Sequence, residues 1–418
     1  YYLVCHQMDK GTALAPEVCC IKILYLEEIY MQDFLYDNYT RLLFGKEAEA
    51  QLGAQAAEFS KAKKALIVYG SDRVKKDGLL GRSEQALQAQ GFETKCLGGV
   101  VPNPRLSKVH EGIQMAREMG ADFILGVGGG SVMDTAKAIA AGVPYEGDVW
   151  DFAIGKAELA TALPVGVVAT MAATGSESSE WAVITNDENM SKLGIGGGCL
   201  RPAFAVLNPE LTMTQPAYQT ACGCVDIMAH VMDSFFTRTP DCVLTDNMSI
   251  ALLKTVVEFA PIALKEPNNY HARAELMLTS TLAMSGLVGV DRITCLNAHS
   301  LGEDFGGLYD LTHGATLAIV EPALLTYKVE AYLPRLVRFA KEVWGVTGED
   351  DKAVALEGIE RMKQFFRSMG VPVTLREVGI DIDKDGRMLA QRIEAFEGGS
   401  VYVDLSHEDV YQVYSLAK

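Results

Sequence analysis

The chain lacks the features that mark secreted, disulfide-linked and membrane-spanning proteins. Its 418 residues include nine cysteines, an odd number without any C-x-x-C spacing, so neither a disulfide framework nor a thiolate zinc site is indicated. We find no apolar run of the roughly 20 residues needed to cross a bilayer, and no basic region followed by an apolar segment at the start. These absences predict a reduced, cytoplasmic protein without a membrane partner.

Positive charge is also scarce, since 37 lysines and arginines stand against 54 aspartates and glutamates, for a formal net charge of -17. Such a field repels nucleic acid and anionic lipid, so we expect neither as a partner. A nucleotide cofactor remains compatible with it, because backbone amides bind phosphate locally. Hydrophobic residues make up 49% of the chain, which is ordinary for a globular protein with a sizeable core.

The two halves of the chain differ in character. In the first half, short apolar strands such as 65–69, 123–127 and 165–169 alternate with helical segments, which is typical of a parallel sheet with crossover helices. After Asn208, long amphipathic segments follow and strand-like runs become scarce, as in a helical bundle. We therefore predict the fold class α/β plus all-α, with a parallel-sheet domain followed by a helical domain. The predicted parts are an N-terminal extension of unknown status at residues 1–30, an α/β domain at residues 31–210 and a helical domain at residues 211–418.

A glycine turn follows the apolar strand at 123–127 and opens a helix. Gly128, Gly129 and Gly130 let the backbone turn sharply, so that amides point into one concavity at the positive end of the helix, where a pyrophosphate is favoured. The turn is neither the G-x-G-x-x-G fingerprint nor a Walker loop. A tight strand-to-helix junction without a ligand is the alternative interpretation.

A second polar loop, residues 170–177, follows the strand at 165–169, at the edge where open α/β sheets place ligand contacts. Its hydroxyl groups are candidates for contacts with adenine or ribose. The alternative is that Thr174 or Ser176 caps a helix. Both interpretations stay open on these residues alone.

Four residues of the second half have the spacing of a metal site. Asp226 and His230 are four residues apart, so on a helix both reach one ion from the same face. His299 and His313 follow, fourteen residues apart and separated by a turn region. A carboxylate with three imidazoles suits iron, zinc, cobalt or nickel better than magnesium or calcium. A solvated Asp–His pair is the alternative for Asp226 and His230 taken alone.

Together these motifs resemble the iron-containing alcohol dehydrogenases, the metal-dependent group III family. The Gly-Gly-Gly-Ser-x-x-Asp-x-x-Lys turn, the Ala-Thr-Gly-Ser-Glu loop and the Asp-x-x-x-His pair with two later histidines occur in the family's order and spacing. The chain is most similar to the butanol dehydrogenase and broad NADPH-dependent aldehyde reductase branch. The residues that carry this closer likeness are 39–46, Tyr69 with Gly70, Lys75 with Lys76, and 101–104.

The resemblance implies a dehydroquinate synthase-like architecture, with cofactor and metal in the cleft between an N-terminal dinucleotide-binding domain and a C-terminal helical domain. The positions that match the metal ligands are Asp226, His230, His299 and His313. The positions that match cofactor contacts are Gly70, Ser71, Asn103, Gly129, Gly130, Ser131, Asp134, Thr170, Thr174 and Lys192, the last of them near a ribose. A homodimer paired through an edge strand at about Phe34 to Leu43 is also implied.

The implied activity is hydride transfer between NAD(P)(H) and a primary alcohol or aldehyde such as butanol or butanal. Fe2+, or alternatively Zn2+, acts as a Lewis acid in such a site. A polyol dehydrogenase, a dehydroquinate synthase-like lyase and a non-catalytic relative are the alternatives. A sugar-phosphate lyase should carry several lysines and arginines near the metal, and the stretches around Asp226 and His299 lack them.

One position departs from the family in a way that bears on catalysis. Four residues after the third metal ligand, the family usually carries a histidine near the substrate, whereas this chain has Glu303. A proton relay through Glu303, an additional metal ligand and a hydrogen-bonded cleft residue without a catalytic role are all open.

The nucleotide preference depends on the residues after the second strand of the first domain. Gly70 and Ser71 are small and Arg73 stands close by, which favours NADP(H). Asp72 is an acidic residue of the kind that holds the ribose diol of NAD(H), which is the alternative.

Overall fold

The structure, a computed structural model, describes residues 32–294, 296–393 and 405–418. The predicted N-terminal extension, residues 1–30, lies outside these ranges. The strands are β1 (Arg41–Phe44), β2 (Lys64–Tyr69), β3 (Glu93–Leu97), β4 (Phe123–Gly128), β5 (Val165–Ala169), β6 (Trp181–Thr185), β7 (Lys192–Gly196) and β8 (Phe204–Leu207). All the described strands therefore lie in the first half of the chain.

Six strands form one parallel sheet in the order β1-β8-β5-β4-β2-β3, and β6 and β7 form a separate antiparallel hairpin. In the sheet, Ile67 of β2 is paired with Leu125 of β4. The chain passes from β2 to β3 on one side and then to β4 on the other, so the strand order reverses between β2 and β4. Such a reversal leaves a crevice at the carboxyl ends of the two strands, where open α/β sheets bind ligands.

Helices cover both faces of this sheet. In the first half they are α1 (Leu52–Phe59), α2 (Arg73–Lys76), α3 (Leu79–Gln88), α4 (Leu106–Met119), α5 (Gly130–Gly142) and α6 (Trp150–Ala153). Leu66 and Val68 of β2 belong to one hydrophobic core with residues of α4 and α5, while Ala65 and Ile67 belong to another with residues of α1 and α3. Because side chains alternate between the two faces of a strand, β2 is apolar throughout.

The second half is a helical bundle. Its helices are α7 (Ala217–Phe235), α8 (Val243–Lys265), α9 (Tyr270–Ala283), α10 (Asn297–Leu308), α11 (His313–Tyr327), α12 (Leu333–Trp344), α13 (Asp351–Ser368), α14 (Ile382–Arg392) and α15 (His407–Leu416). Helix α7 packs against α8, α9 and α11 and is buried along most of its length. A parallel-sheet domain followed by a helical domain confirms the predicted fold class, and the division at residue 211 stays a prediction.

Helix α8 corrects one expectation from the sequence. Among the described residues it is the one helix long and apolar enough to cross a membrane by length and composition, with a mean hydropathy of 1.4. In the structure it packs beside α7 and α9. Asp246, near its start, accepts a hydrogen bond from Arg292 Nη1 at 2.8 Å. These contacts place α8 in the helical bundle.

Candidate active site

Three helices bring the predicted metal ligands together. Asp226 and His230 are buried on α7, and His230 Nε2 lies 3.7 Å from Asp226 Oδ1. His299 is on α10 and His313 is the first residue of α11. The Nε2 atom of each lies 3.6 Å from the same Asp226 oxygen. Three imidazoles therefore converge on one carboxylate oxygen.

The donor atoms of this cluster fit a divalent cation. Asp226, His299 and His313 each offer a donor atom within 4.8 Å of the other two, and His230 Nε2 lies 3.7 Å from the shared Asp226 oxygen. In the described part of the chain, Asp226 Oδ1 and His299 Nε2 are buried and have no hydrogen-bond partner. Unpaired buried polar atoms cost free energy unless a ligand satisfies them. A carboxylate with imidazoles suits iron or zinc.

The charges of the cluster favour the ligand forms of three of its four groups. Burial raises the pKa of Asp226, but the neighbouring imidazoles, His230 first, outweigh burial and hold that pKa below its usual range. Burial lowers the pKa of His230 to about 4, against the attraction of Asp226. Burial and the nearby charge of Lys192 hold the pKa of His313 well below its usual value. At neutral pH the carboxylate is therefore ionised and these two imidazoles are neutral, as metal binding requires.

His299 has a carboxylate behind it that orients its ring. Its Nδ1 atom contacts the carboxylate of Asp233, which lies on α7. Burial by itself lowers the pKa of His299. The Asp233 charge and the contacts with Asp226 outweigh burial, so the pKa of His299 is raised to about 10. A carboxylate on the far nitrogen directs the other nitrogen to the metal and raises the basicity of the ring. Sequence reasoning missed Asp233, although it lies seven residues after Asp226 on the same helical face.

The glycine turn of Gly128, Gly129 and Gly130, which we call the phosphate cradle, lies at the carboxyl ends of β4 and β5. The Thr170 N–H donates to the Gly128 carbonyl at 3.0 Å, which joins the loop after β5 to the loop after β4. Helix α5 begins at Gly130, so its positive N-terminal end lies at this junction. Ser131, in its first turn, is partly buried. The arrangement presents backbone amides at a helix N-terminus, as anion sites do.

Close packing explains the glycines of this cradle. A Cβ added at Gly129 would lie 2.6 Å from Met171 Sδ, and one added at Gly130 would lie 2.5 Å from Thr174 Cγ2. Both approaches are shorter than real Cβ contacts allow. The Thr174 hydroxyl also accepts the Ser176 N–H at 3.2 Å, so this threonine shapes its own loop.

Gly70 and Ser71 follow β2 directly, on the other side of the crevice from the cradle. A Cβ at Gly70 would lie 3.3 Å from the Val100 carbonyl oxygen, which leaves little room for a side chain. The Ser71 side chain is exposed and accepts the Arg73 N–H at 3.4 Å. The structure thus places both residues at the crevice.

Asn103 lies in the loop between β3 and α4, in the left-handed region with a φ of 52°. Its Nδ2 donates to Asp310 Oδ1 at 3.0 Å, and Arg105 Nη2 lies 3.4 Å from the same oxygen. These contacts tie the loop to the turn between α10 and α11. A cofactor contact of Asn103 stays a prediction.

Asp134 and Lys137 of α5 are held by contacts within the protein. The Asp134 carboxylate accepts hydrogen bonds from Ser176 Oγ at 2.7 Å and from the Val183 N–H at 3.2 Å. Lys137 is fully buried, and its Nζ donates to Ser176 Oγ and to two carbonyls of the same loop, each at 2.8 Å. Lys137 is the lysine of the Gly-Gly-Gly-Ser-x-x-Asp-x-x-Lys motif, to which sequence reasoning assigned no role. The Asp134 contacts favour a role in holding the loop at 174–181, and its predicted cofactor contact stays untested.

Lys192 and Glu303 meet at the cleft. Lys192 opens β7 and Glu303 lies on α10, and Lys192 Nζ is 3.8 Å from Glu303 Oε1. The Lys192 charge acts on the pKa of both His313 and Asp134, so the side chain lies near the metal cluster and near the helix that begins at Gly130. The structure thus gives Glu303 a lysine as its partner, and its proton relay stays a prediction.

The chain has a crevice at the carboxyl ends of a parallel sheet, and the helical domain carries a carboxylate–imidazole cluster. These two features are typical of a two-domain protein that binds a dinucleotide and a metal. The profile of the family described as Iron-containing alcohol dehydrogenase matches residues 39–209. A second profile, described as Fe-containing alcohol dehydrogenase family, C-terminal, matches residues 220–417. The chain belongs to the iron-containing alcohol dehydrogenases.

Individual relatives agree with this. The chain is 36% identical to NADH-dependent butanol dehydrogenase A of Clostridium acetobutylicum over 388 residues, which cover 92% of this chain and 99% of the relative. It is 37% identical to the NADPH-dependent aldehyde reductase YqhD of Escherichia coli over 355 residues, which cover 84% and 90% of the two chains. Oxidoreduction between alcohols and aldehydes is the activity that goes with this membership.

Solved structures show the same fold. The crystal structure of NADH-dependent butanol dehydrogenase A from Thermotoga maritima is similar with a TM-score of 0.89 and 34% identity, covering 93% of this chain and all 100% of the other. That of YqhD from Escherichia coli gives a TM-score of 0.88 and 33% identity, with 94% and 100% covered. The likeness therefore includes both domains.

Proposed function

We propose that the chain catalyses reversible hydride transfer between NADP(H) and a primary alcohol or aldehyde of the size of butanol or butanal. The observation that carries this proposal is the convergence of His230, His299 and His313 on Asp226 Oδ1. The butanol dehydrogenase and aldehyde reductase among the relatives support the substrate class.

The residues of the chain divide the work between binding and orientation. When bound, the metal supplies Lewis acidity at the substrate oxygen and the dinucleotide supplies or accepts the hydride. Asp226 and the three imidazoles would hold the cation, and Asp233 would fix the ring of His299. The N-terminus of α5 would hold the pyrophosphate. Lys192 would lie between the two groups.

The lyase and the non-catalytic alternatives gain no support from the site. A sugar-phosphate lyase needs several cationic side chains to bind phosphate. Lys192, whose charge acts on the cluster, is already paired with the carboxylate of Glu303. Loss of chemistry is disfavoured because all four predicted ligand positions carry donor side chains that converge.

We further propose NADP(H) as the preferred nucleotide and Fe2+ as the metal, with NAD(H) and Zn2+ as the alternatives. Asp72 Oδ1 is paired with Lys75 Nζ at 3.0 Å, so a positive charge stands beside the carboxylate that would hold the ribose diol of NAD(H). Gly70 and Ser71 are small residues, and Arg73, which follows them closely, would supply positive charge for a 2′-phosphate. Relatives of both preferences resemble the chain about equally, at 36% for an NADH-dependent and 37% for an NADPH-dependent enzyme.

Initial rates of butanal reduction test this function. The purified chain should reduce butanal with NADPH faster than with NADH, lose the activity on treatment with a chelator and regain it with Fe(II). Zn(II), glycerol and 1,3-propanediol serve as the comparisons for metal and substrate. Activity that survives removal of the metal, or an absence of activity with every metal and both nucleotides, would contradict the proposal.

A cytoplasmic location is our proposal as well. Cys96, Cys199, Cys222, Cys224 and Cys242 are all free thiols in the described residues, as expected in a reducing compartment.

A homodimer paired through the edge of the sheet is a further part of the proposal. Strand β1 lies at one edge. The Arg41 N–H donates to the carbonyl of Ala203, just before β8, at 3.1 Å. The Gly45 N–H donates to the carbonyl of Leu207, the last residue of β8, at 2.9 Å. Because N–H directions alternate along a strand, those of Leu42 and Phe44 point away from the sheet. Both side chains are exposed, as is Leu35 just before the strand. An exposed apolar edge is a template for pairing.

The variant Leu42→Pro tests this interface. It removes an outward N–H and spares the hydrogen bonds to β8, so we expect the mass measured by light scattering to fall from that of a dimer to that of a single chain. The matched control Leu42→Val keeps the N–H and should remain dimeric. A wild-type chain that is monomeric, or a proline variant that stays fully dimeric, would refute pairing through β1.

A further inference from the structure

The ion pair between Lys192 and Glu303 is largely shielded from solvent. The Lys192 side chain is 8% exposed and that of Glu303 is 20% exposed, with 3.8 Å between Nζ and Oε1. Most other ion pairs between lysine and a carboxylate in the described residues, such as Lys46 with Glu210, lie largely in solvent. Water screens a sheltered charge poorly, so removal of one partner leaves a strong local field.

Both partners stand at the metal cluster. Glu303 is one helical turn after His299 on α10 and faces the same side of the helix. Helix α10 packs closely on the β6–β7 hairpin, since a Cβ added at Gly307 would lie 3.5 Å from Lys192 Cβ. This contact holds the lysine against α10. A substrate that approaches the cluster therefore meets the field of this pair.

We propose that Glu303 determines the charge of the substrates that the site accepts, by neutralising Lys192 and so excluding aldehydes that carry a carboxylate. This inference rests on the proposed function. An incoming carboxylate meets the negative charge of Glu303 and finds the cation of Lys192 already occupied. Neutral aldehydes meet neither penalty. Glu303 thus acts as a specificity-determining residue one helical turn from the predicted metal ligand His299.

The competing role of Glu303, a proton relay, makes a different prediction. Loss of a relay lowers the turnover of every aldehyde by a similar factor, because each needs the same proton. Loss of the charge partner changes the ratio between charged and neutral aldehydes. The ratio of kcat/KM values therefore separates the two roles.

The test compares aldehydes of equal chain length with the metal-loaded enzyme. The pairs are glyoxylate with acetaldehyde and 4-oxobutanoate with butanal. For Glu303→Gln, which keeps the shape and removes the charge, we expect the charged-to-neutral ratio of kcat/KM to rise about tenfold or more in at least one pair. Glu303→Asp keeps the charge and should keep the wild-type ratio. Glu210→Gln removes the same charge from the exposed pair with Lys46 and should leave both rates unchanged.

A second variant shows which cation is responsible. In the background of Glu303→Gln, Lys192→Gln should return the ratio to the wild-type value, whatever it does to the absolute rates. An unchanged ratio in Glu303→Gln, with butanal still reduced and the fold intact by circular dichroism, would overturn the inference and leave the proposed function standing. A wild-type enzyme that reduces no neutral aldehyde would overturn both.

Discussion

Asp226→Asn is expected to abolish binding of the catalytic metal and to lower kcat/KM for aldehyde reduction by about a thousandfold. The three imidazoles approach this one carboxylate oxygen to within 3.6 to 3.7 Å. An amide of the same shape offers a neutral oxygen in place of an anionic one. It therefore loses the charge that attracts the cation as well as the common ligand that joins the three helices.

Metal content measured by plasma mass spectrometry, together with initial rates, checks this result. Asp383→Asn is a matched control, because Asp383 is exposed and pairs with Lys418 at the surface, at 2.7 Å. The control should bind metal and react as the wild type does. An Asp226→Asn enzyme that retains one equivalent of tightly bound metal would show that the imidazoles suffice and that our assignment of Asp226 is wrong.

Lys137→Met should destabilise the N-terminal domain by about 3–5 kcal/mol, because it breaks a buried hydrogen-bonded charge network. The ammonium group donates to Ser176 Oγ and to the carbonyls of Ser179 and Trp181, each at 2.8 Å. Methionine fills the space but leaves these acceptors buried without a donor. The melting temperature of this domain should fall by about 10 °C.

Differential scanning calorimetry measures this effect, and the Michaelis constant for the dinucleotide gives a second reading. The loop at 174–181 packs on the cradle through Thr174 and Gly130, so its loosening should raise that constant. Lys61→Met, at an exposed lysine before β2 and so at the opposite end of the sheet from the crevice, should leave both values within error of the wild type. A variant at Lys137 as stable as the control would mean that the loop holds its shape without the ammonium group.

The same lysine predicts a pH dependence of stability. Burial, the largest cause, lowers the pKa of Lys137 to about 8, against the attraction of Asp134 and Glu177. Between this pH and the ordinary lysine value, the unfolded chain binds more protons than the folded one, so stability rises with pH in that window. The stability advantage of the wild type over Lys137→Met should therefore grow from about pH 8 to about pH 10. A constant or falling difference would contradict the lowered pKa.

The parts of the site that were predictable share a local origin. Asp226 and His230 were recognisable because a spacing of four residues marks one helical face, and the glycine turn because it stands between an apolar strand and a helix. The cradle and the metal cluster then followed from the family resemblance. Asp233 belonged to the same helical face as Asp226, so the signal for it existed and was overlooked.

The contacts that some polar residues make within the protein could not be predicted, for a physical reason. Asp134 and Asn103 were assigned to the cofactor, and the structure shows their polar groups bonded to Ser176 and to Asp310. A carboxylate or an amide of suitable spacing is compatible with a ligand contact and with a loop contact, and the residue type does not distinguish the two. Helix α8 was likewise not recognised as a long apolar helix, because its charged residues interrupt the run of apolar ones.

The sequence by itself determined the fold class and marked Asp226 and His230 as one helical face, since apolar periodicity and helical spacing are properties of short segments. Only the tertiary structure decided which partner each buried charge has. Asp233 meets His299 across 66 residues, Lys137 meets Ser176 across 39, and Lys192 meets Glu303 between the two domains. Such contacts depend on how helices and strands pack around the cleft. The field at the metal cluster, and with it the proposed choice of substrate, therefore arises only in the folded chain.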